Sequence, residues 1–364
     1  IGLTVTICTA LIALPLSLFS ARYEFPGKGI LTSLLLVPMI MPPFVGAVGI
    51  YRALARYGAL NQALIAFQGF LNSNLGLSLQ FIDPKDPIFW REAFPFGWVV
   101  ALEVLHLYPV MYLNFTAALA NIDPAMEEAA VNMGSKGFRL FRKITLPLMM
   151  PGLFAGSVIV FIWALTDLGT PLIFNYRKVI PMVIWNQVET RDFTPVGPAL
   201  VIGLLAMTAL LYMLSKKLFG QRSYETLSKG TTGARAKRVS RPAAAGIIGF
   251  MLLITFIAAL PHILVVITSF SGSWDESILP SDYTIAHYRS VLWGGESTDS
   301  WRALRNSVLY SSLSTMVDLG LGIMIAYVLV RARFKGAAVL DAVVMLPLAI
   351  PGIVLAFGYL RAFS

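Results

Sequence analysis

The sequence predicts an all-α fold, a polytopic transmembrane helical bundle. Three observations carry that expectation. The first is composition: 364 residues are 57% hydrophobic and only 13% charged, with a mean hydropathy of +0.73. Soluble domains hold about 25% charged residues, and one soluble core cannot hide this much apolar surface. The second is length: eight apolar stretches reach the roughly 20 residues that a helix needs to cross a bilayer core of about 30 Å. The third is the placement of charge between them.

The eight predicted spans are 2–21, 30–51, 96–120, 152–174, 197–215, 243–270, 306–330 and 338–361. The run 2–21 lacks a charged start and leads directly into another apolar stretch, so it reads as a span and not as a signal peptide. Loops 22–29, 121–151, 216–242 and 331–337 together carry 17 Lys/Arg and five acids, against 11 Lys/Arg and ten acids on the other side. Positive residues stay in the cytoplasm, so the first set of loops is predicted to be cytoplasmic. The net charge of +9 then reflects topology and contact with membrane lipids, not nucleic acid. Three His and the single Cys8 are too few for most metal or thiol chemistry.

An internal repeat is legible. Shifted by 309 residues, 22–54 falls on 331–363 with 11 of 33 positions identical, among them Arg22/Arg331, Gly27/Gly336, Pro38/Pro347, Pro42/Pro351, Gly49/Gly358 and Arg52/Arg361. Apolar composition alone does not align Arg, Gly and Pro. Six predicted spans lie within the shift, so the two copies enter the membrane from the same side. The expected division is a first unit at 1–215, a basic cytoplasmic linker at 216–242 and a second unit from 243 to 364. By this comparison the first unit lacks its opening span and the second its later part.

The loop Asp123–Pro147 is the most informative segment. Asp123 is a natural N-cap, Pro124 suits the first helical position, and Glu127 and Glu128 favour the positive end of a helix. Met126, Ala129, Ala130 and Met133 share one predicted face, and Gly134 is suited to a left-handed helix end. A second, basic helix with Arg139, Arg142 and Lys143 follows, and Pro147 opens the next span. The residues alone fit two readings: a small knob that docks into a groove of a soluble partner, or an interfacial loop that covers the bundle.

The series Glu128-Ala129-Ala130, three residues, Gly134, nine residues, Ile144-x-Leu146-Pro147 resembles the EAA loop of binding-protein-dependent ABC importer permeases. The resemblance covers most of 1–230 and 303–364. It implies two parallel repeats of a six-helix permease unit. It implies a coupling contact with separate ATPase subunits, made by Glu127, Glu128, Ala129, Ala130, Gly134, Leu146 and Pro147. It also implies an extracytoplasmic solute-binding protein as partner. ATP would be bound by the partner subunit, because the chain has no Gly-x-x-x-x-Gly-Lys-[Ser/Thr] run, and the chain itself would be neither enzyme nor cofactor binder. His106-Leu-Tyr-Pro109, Thr166–Pro171 and Arg222–Gly230 resemble the tandem-fused iron(III)-type branch, so ferric iron is the expected cargo. Aminoethylphosphonate, polyamines and other small solutes are alternatives, and an ion-coupled secondary transporter is the alternative of a different class.

Ionisable groups inside spans are costly and need a reason. Glu103 and His106, three residues apart, share a helix face and are placed to pair along a solute route. Asp167, followed by Gly169, Thr170 and Pro171, is expected where the helical ladder opens onto a cavity. Pro42 and Pro351 are expected to kink equivalent spans and form a gate, with Asp318 a weaker route candidate. Ala59–Leu71 is predicted as an amphipathic surface helix, and it and loop 271–305 are candidates for receptor contact.

Overall fold

A computed structural model describes residues 1–54, 58–76, 95–190, 194–219, 237–274, 277–294, 297–332, 336–337, 339–341, 343–344 and 352–363. These residues are almost entirely helical. In chain order the helices are α1 (Gly2–Arg22), α2 (Lys28–Leu34), α3 (Pro43–Leu54), α4 (Ala59–Leu75), α5 (Pro95–Ala120), α6 (Pro124–Asn132), α7 (Gly137–Leu140), α8 (Leu146–Thr166), α9 (Gly169–Ile173), α10 (Ile180–Thr190), α11 (Val196–Phe219), α12 (Arg241–Ser269), α13 (Ala286–Trp293), α14 (Ser297–Arg331) and α15 (Gly352–Phe363). Two short strands, β1 (Tyr23–Glu24) and β2 (Lys237–Arg238), pair in parallel, with Tyr23 opposite Lys237.

Among the described residues, five helical stretches are long and apolar enough to cross a membrane: α1, α5, Gly137–Ile173, α12 and Thr298–Arg331. A bent pair, Lys28–Met39 with Pro43–Leu75, makes a sixth if it is one span. The apolar part of α11 occupies the predicted stretch 197–215. Of the predicted stretch 338–361, residues 338, 342 and 345–351 lie outside the described residues, and α15 occupies its end.

The core is built by α1, α5, α8 and α12. Val5, Ala13 and Leu16 of α1 pack with Leu107, Tyr108, Met111 and Phe115 of α5, Val160 of α8 and Met251 of α12. A second cluster joins Ala47, Ile50 and Leu54 of α3 to Leu102 of α5, Phe174 and Leu264 of α12. In contrast, α14 buries none of its apolar window within the chain. Val308, Leu313, Met316 and Tyr327 lie around its exposed surface, as on a helix solvated by lipid or by other protein.

The predicted span 30–51 is a broken helix. A 3-10 turn (Val37–Met39) follows α2, and the arms bend by 84° before α3 begins at Pro43. The cause is local. In a continuous helix the carbonyl of residue 38 would accept from residue 42, which is a proline without N–H. Met39 N–H instead reaches Leu36 O at 3.1 Å, which leaves the Leu35 carbonyl free. Side chains of α5 take both orphans: Tyr108 Oη donates to Leu35 O at 2.8 Å, and His106 Nδ1 lies 3.2 Å from Pro38 O. A second break was expected within 152–174 and is found, but the helix starts earlier. The chain is helical from Gly137, through a π-helical turn at Phe141–Thr145, to Thr166. The wider π turn directly precedes Pro147 and relieves the crowding that its ring imposes on the preceding carbonyls.

Segments predicted to lie on the same membrane side also meet in space. The end of α1, the helix α6 and the residues just before α12 converge, through the β1–β2 pair and through an ion pair described below.

Candidate functional site

The loop Asp123–Pro147 folds as two short helices on a surface, and its ends are fixed by local chemistry. The Asp123 carboxylate accepts from Ala125 N–H at 2.9 Å, and Pro124 opens α6. At the other end Ser135 N–H reaches Ala130 O and Gly134 N–H reaches Val131 O, both at 2.9 Å. That pair of bonds closes the helix through a left-handed residue, and Gly134 has φ = +86°.

The rotation of α6 divides the predicted face. Ala130 is 2% exposed and packs inward, whereas Met133 is 81% exposed, and Met126, Ala129 and Val131 are also exposed. Phe138 of α7 adds a further ring at 74% exposure. The apolar surface offered outward is therefore Met126, Ala129, Val131, Met133 and Phe138, without Ala130. Glu128 is exposed beside it, Leu146 is half-buried, and Pro147 is exposed.

Glu127 points the other way. Its Oε1 accepts from Arg22 Nη2, the last residue of α1, and from Thr145 Oγ1 at 2.6 Å. Arg22 Nη2 also lies 3.3 Å from Thr145 Oγ1. Burial raises the pKa of Glu127, but the hydrogen bonds from Arg22 and Thr145, with the charges of Arg22 and Lys237, outweigh it and hold the group below its ordinary 4.5. The knob is thus anchored to α1 and to the π turn that leads into α8. Neither Arg22 nor Thr145 stands out in the sequence as a site residue; the one available signal is that Arg22 recurs as Arg331 in the repeat.

Within the membrane-spanning region, α3, α5, the end of α8 and the break after it form an open pocket of about 230 Å³ lined by Pro43, Glu103, His106, Leu107, Trp163, Thr166 and Asp167. Three predicted route residues meet here. Glu103 and His106 share a face, but they do not pair with each other. Glu103, 2% exposed, accepts from Thr170 Oγ1 at 3.1 Å, and His106 turns to Pro38 O. The carbonyl freed by Pro42 competes successfully for the imidazole. Asp167 sits at the break after α8, extended at ψ = 132°, and its carboxylate accepts from Gly169 N–H at 3.2 Å and Thr170 N–H at 2.9 Å. Thr170 therefore links both carboxylates. Gly169 lies against Phe44, where a Cβ would come within 2.9 Å of the Phe44 Cβ. Pro42 is exposed at the bend, and its neighbour Pro43 is the proline that lines the cavity. Pro351 lies outside the described residues. Asp318 is exposed on α14, with Ser314 Oγ at 3.3 Å.

The comparisons with known proteins agree with this architecture. A putative ferric transport system permease protein FbpB 1 of Haemophilus influenzae is 26% identical over the whole of this chain and 54% of its own length. The ferric transport system permease protein FbpB of Actinobacillus pleuropneumoniae is 25% identical over the whole chain and 50% of its own length. The molybdenum transport system permease protein ModB of Haemophilus influenzae is 28% identical over 63% of this chain and 95% of its own length. The chain spans about half the length of the two ferric-transport relatives. Residues 13–222 match the binding-protein-dependent transport system inner membrane component, and the chain belongs to that family: it is a multi-pass inner-membrane transport component, not an enzyme, and it binds no cofactor of its own.

Proposed function

We propose that this chain forms part of the translocation subunit of an ABC importer, with the α6–α7 knob as its coupling contact. One observation carries the reading: an exposed apolar knob with rigidly closed ends is tied, through Glu127, to α1 and to the entrance of α8. A separate ATPase subunit seats Met126, Ala129, Met133 and Phe138 in a groove, with Glu128, Gly134, Leu146 and Pro147 shaping the same surface. An extracytoplasmic binding protein delivers solute to the opposite face. ATP and the loaded receptor each bind one of two arrangements of the spans more tightly, and that difference in affinity is the driving force.

Glu103, His106, Asp167, Gly169 and Thr170 are proposed to line the route, and Pro42 to hinge the gate, with Pro351 as its repeat counterpart. Ferric iron is the proposed cargo, supported by the two ferric-transport relatives that match the whole chain; the molybdenum relative keeps an oxyanion as the second reading. The tandem division at 1–215, 216–242 and 243–364 is also proposed. Helix bounds support it: shifting by 309 residues carries the end of α1 at Arg22 onto the end of α14 at Arg331, and α3 (Pro43–Leu54) onto α15 (Gly352–Phe363).

The test is uptake by the full-length protein in proteoliposomes, with and without its ATPase subunit. Uptake that requires both the ATPase and ATP is expected. Uptake driven by an ion gradient without the ATPase overturns the proposal and makes the Glu103–Asp167 cluster an ion site.

A further inference from the structure

A second cavity lies at the convergence of α1, β1, β2 and α12. It is an open groove of about 580 Å³. Its polar wall holds Arg238 and Arg241, both exposed, and neither has an ion-pair partner among the described residues. The carboxylate in the same wall, Glu24, is bonded to Lys28 Nζ at 2.8 Å, so its charge is already offset. Arg241 opens α12, a helix of 29 residues whose N-cap, Ser240, makes no side-chain capping bond. The partial positive charge of that helix end adds to the two guanidinium groups.

The floor has the opposite character. Phe25 is buried, Ile248 is half-buried and Ala245 is open to the groove. Further along α12, Leu252, Leu253 and Phe256 are exposed. The groove therefore presents cations at the membrane boundary and an apolar track that runs from them into the hydrocarbon region. A free phosphate would use only the first half of this surface. A soluble acidic segment would leave the second half wet.

We infer that this groove binds an anionic phospholipid. The phosphodiester sits between Arg238, Arg241 and the first turn of α12, and an acyl chain lies over Ala245 and Ile248. Two cations at a bilayer surface give a preference on the order of tenfold over a zwitterionic lipid of the same chains, after allowance for screening by salt. The bound lipid would brace the β1–β2 contact beside Arg22 without touching the cavity at Glu103.

The experiment uses the full-length protein in nanodiscs containing phosphatidylglycerol with a diazirine near the head of one acyl chain, and maps the adducts to peptides. Adducts within residues 239–248 are expected, about tenfold fewer with the matched phosphatidylcholine probe, and undiminished by millimolar inorganic phosphate. R238A/R241A is expected to lower the yield about tenfold. A245W, which fills the floor and keeps both charges, is expected to lower it as well, and it decides the matter if the double variant does not fold. Equal labelling by the two lipids overturns the inference. So does the absence of adducts at 239–248, unchanged labelling in a folded variant, or displacement by phosphate, which would mark a site for free anions.

Discussion

Arg22, the last residue of α1, hydrogen-bonds Glu127 in the knob helix α6, across 105 residues of chain. The bond joins an element of the core to the surface proposed to meet the ATPase. Any displacement of α6 is therefore felt at the end of α1, which packs directly on α5 and α8.

Arg22→Ala tests that link. The pair is partly shielded, with side chains 33% and 12% exposed, so the loss is moderated by solvent and is expected at about 1–2 kcal/mol. Hydrogen exchange over 124–132 reads it. Because the folded pKa of Glu127 lies below 4.5, the contribution is complete above that value and is lost as pH falls through the lower folded value. The variant and the unmodified protein should therefore converge in acid. A gap that persists there would assign the effect to something other than this ion pair.

Gly134 separates backbone strain from contact. At φ = +86° an alanine is strained by about 1 kcal/mol, although nothing lies within 4 Å of its Cβ position. Gly134→Ala is expected to lower ATP-driven uptake, and Gly134→Asn, which tolerates the left-handed region, to restore most of it. Gly134→Arg should abolish co-purification of the ATPase. Intact coupling in the Arg variant would contradict the assignment of the knob.

Asp167 has an observed structural role and a proposed one in transport. Asp167→Ala removes the acceptor for Gly169 and Thr170 and is expected to cost about 1 kcal/mol of stability. Asp167→Asn keeps one of the two acceptor oxygens, enough for the shorter bond from Thr170 N–H, and should melt between the alanine variant and the unmodified protein. If Asp167 lines the route, uptake in the Asn variant drops although folding is retained; full uptake would leave Asp167 with its backbone hydrogen bonds alone.

Gly49 sets the approach of α3 to α12. A Cβ there would overlap the Pro261 carbonyl and lie 2.8 Å from Val265 Cγ2. Gly49→Ala is expected to destabilise the bundle by about 1–3 kcal/mol in thermal melts. Gly69→Ala in α4 meets nothing within 4 Å and should be neutral or slightly stabilising. Equal behaviour of the two variants would refute the close contact.

Much of the architecture was legible in the sequence because it is dictated locally. Apolar length specifies a span wherever the chain meets a bilayer. Asp123, Pro124 and Gly134 terminate α6 through groups within a few residues of one another. Pro42 breaks its span because a missing N–H cannot be replaced by anything nearby, and Ala59–Leu71 reads as a surface helix from its own periodicity.

What the tertiary structure decided is the rotation of each helix and the partner each polar group finds. Neighbouring positions on a helix differ by about 100° in direction, so adjacent Glu127 and Glu128 cannot both face the bundle. Which of them turns inward depends on where Arg22 arrives, and packing α1 against α5 and α8 determines that. Likewise Glu103 and His106 were placed to pair by spacing, yet a carbonyl orphaned by Pro42 captured the imidazole and Thr170 captured the carboxylate. Sequence determines which groups must be satisfied; only the assembled bundle brings a partner from a distant part of the chain within hydrogen-bonding reach.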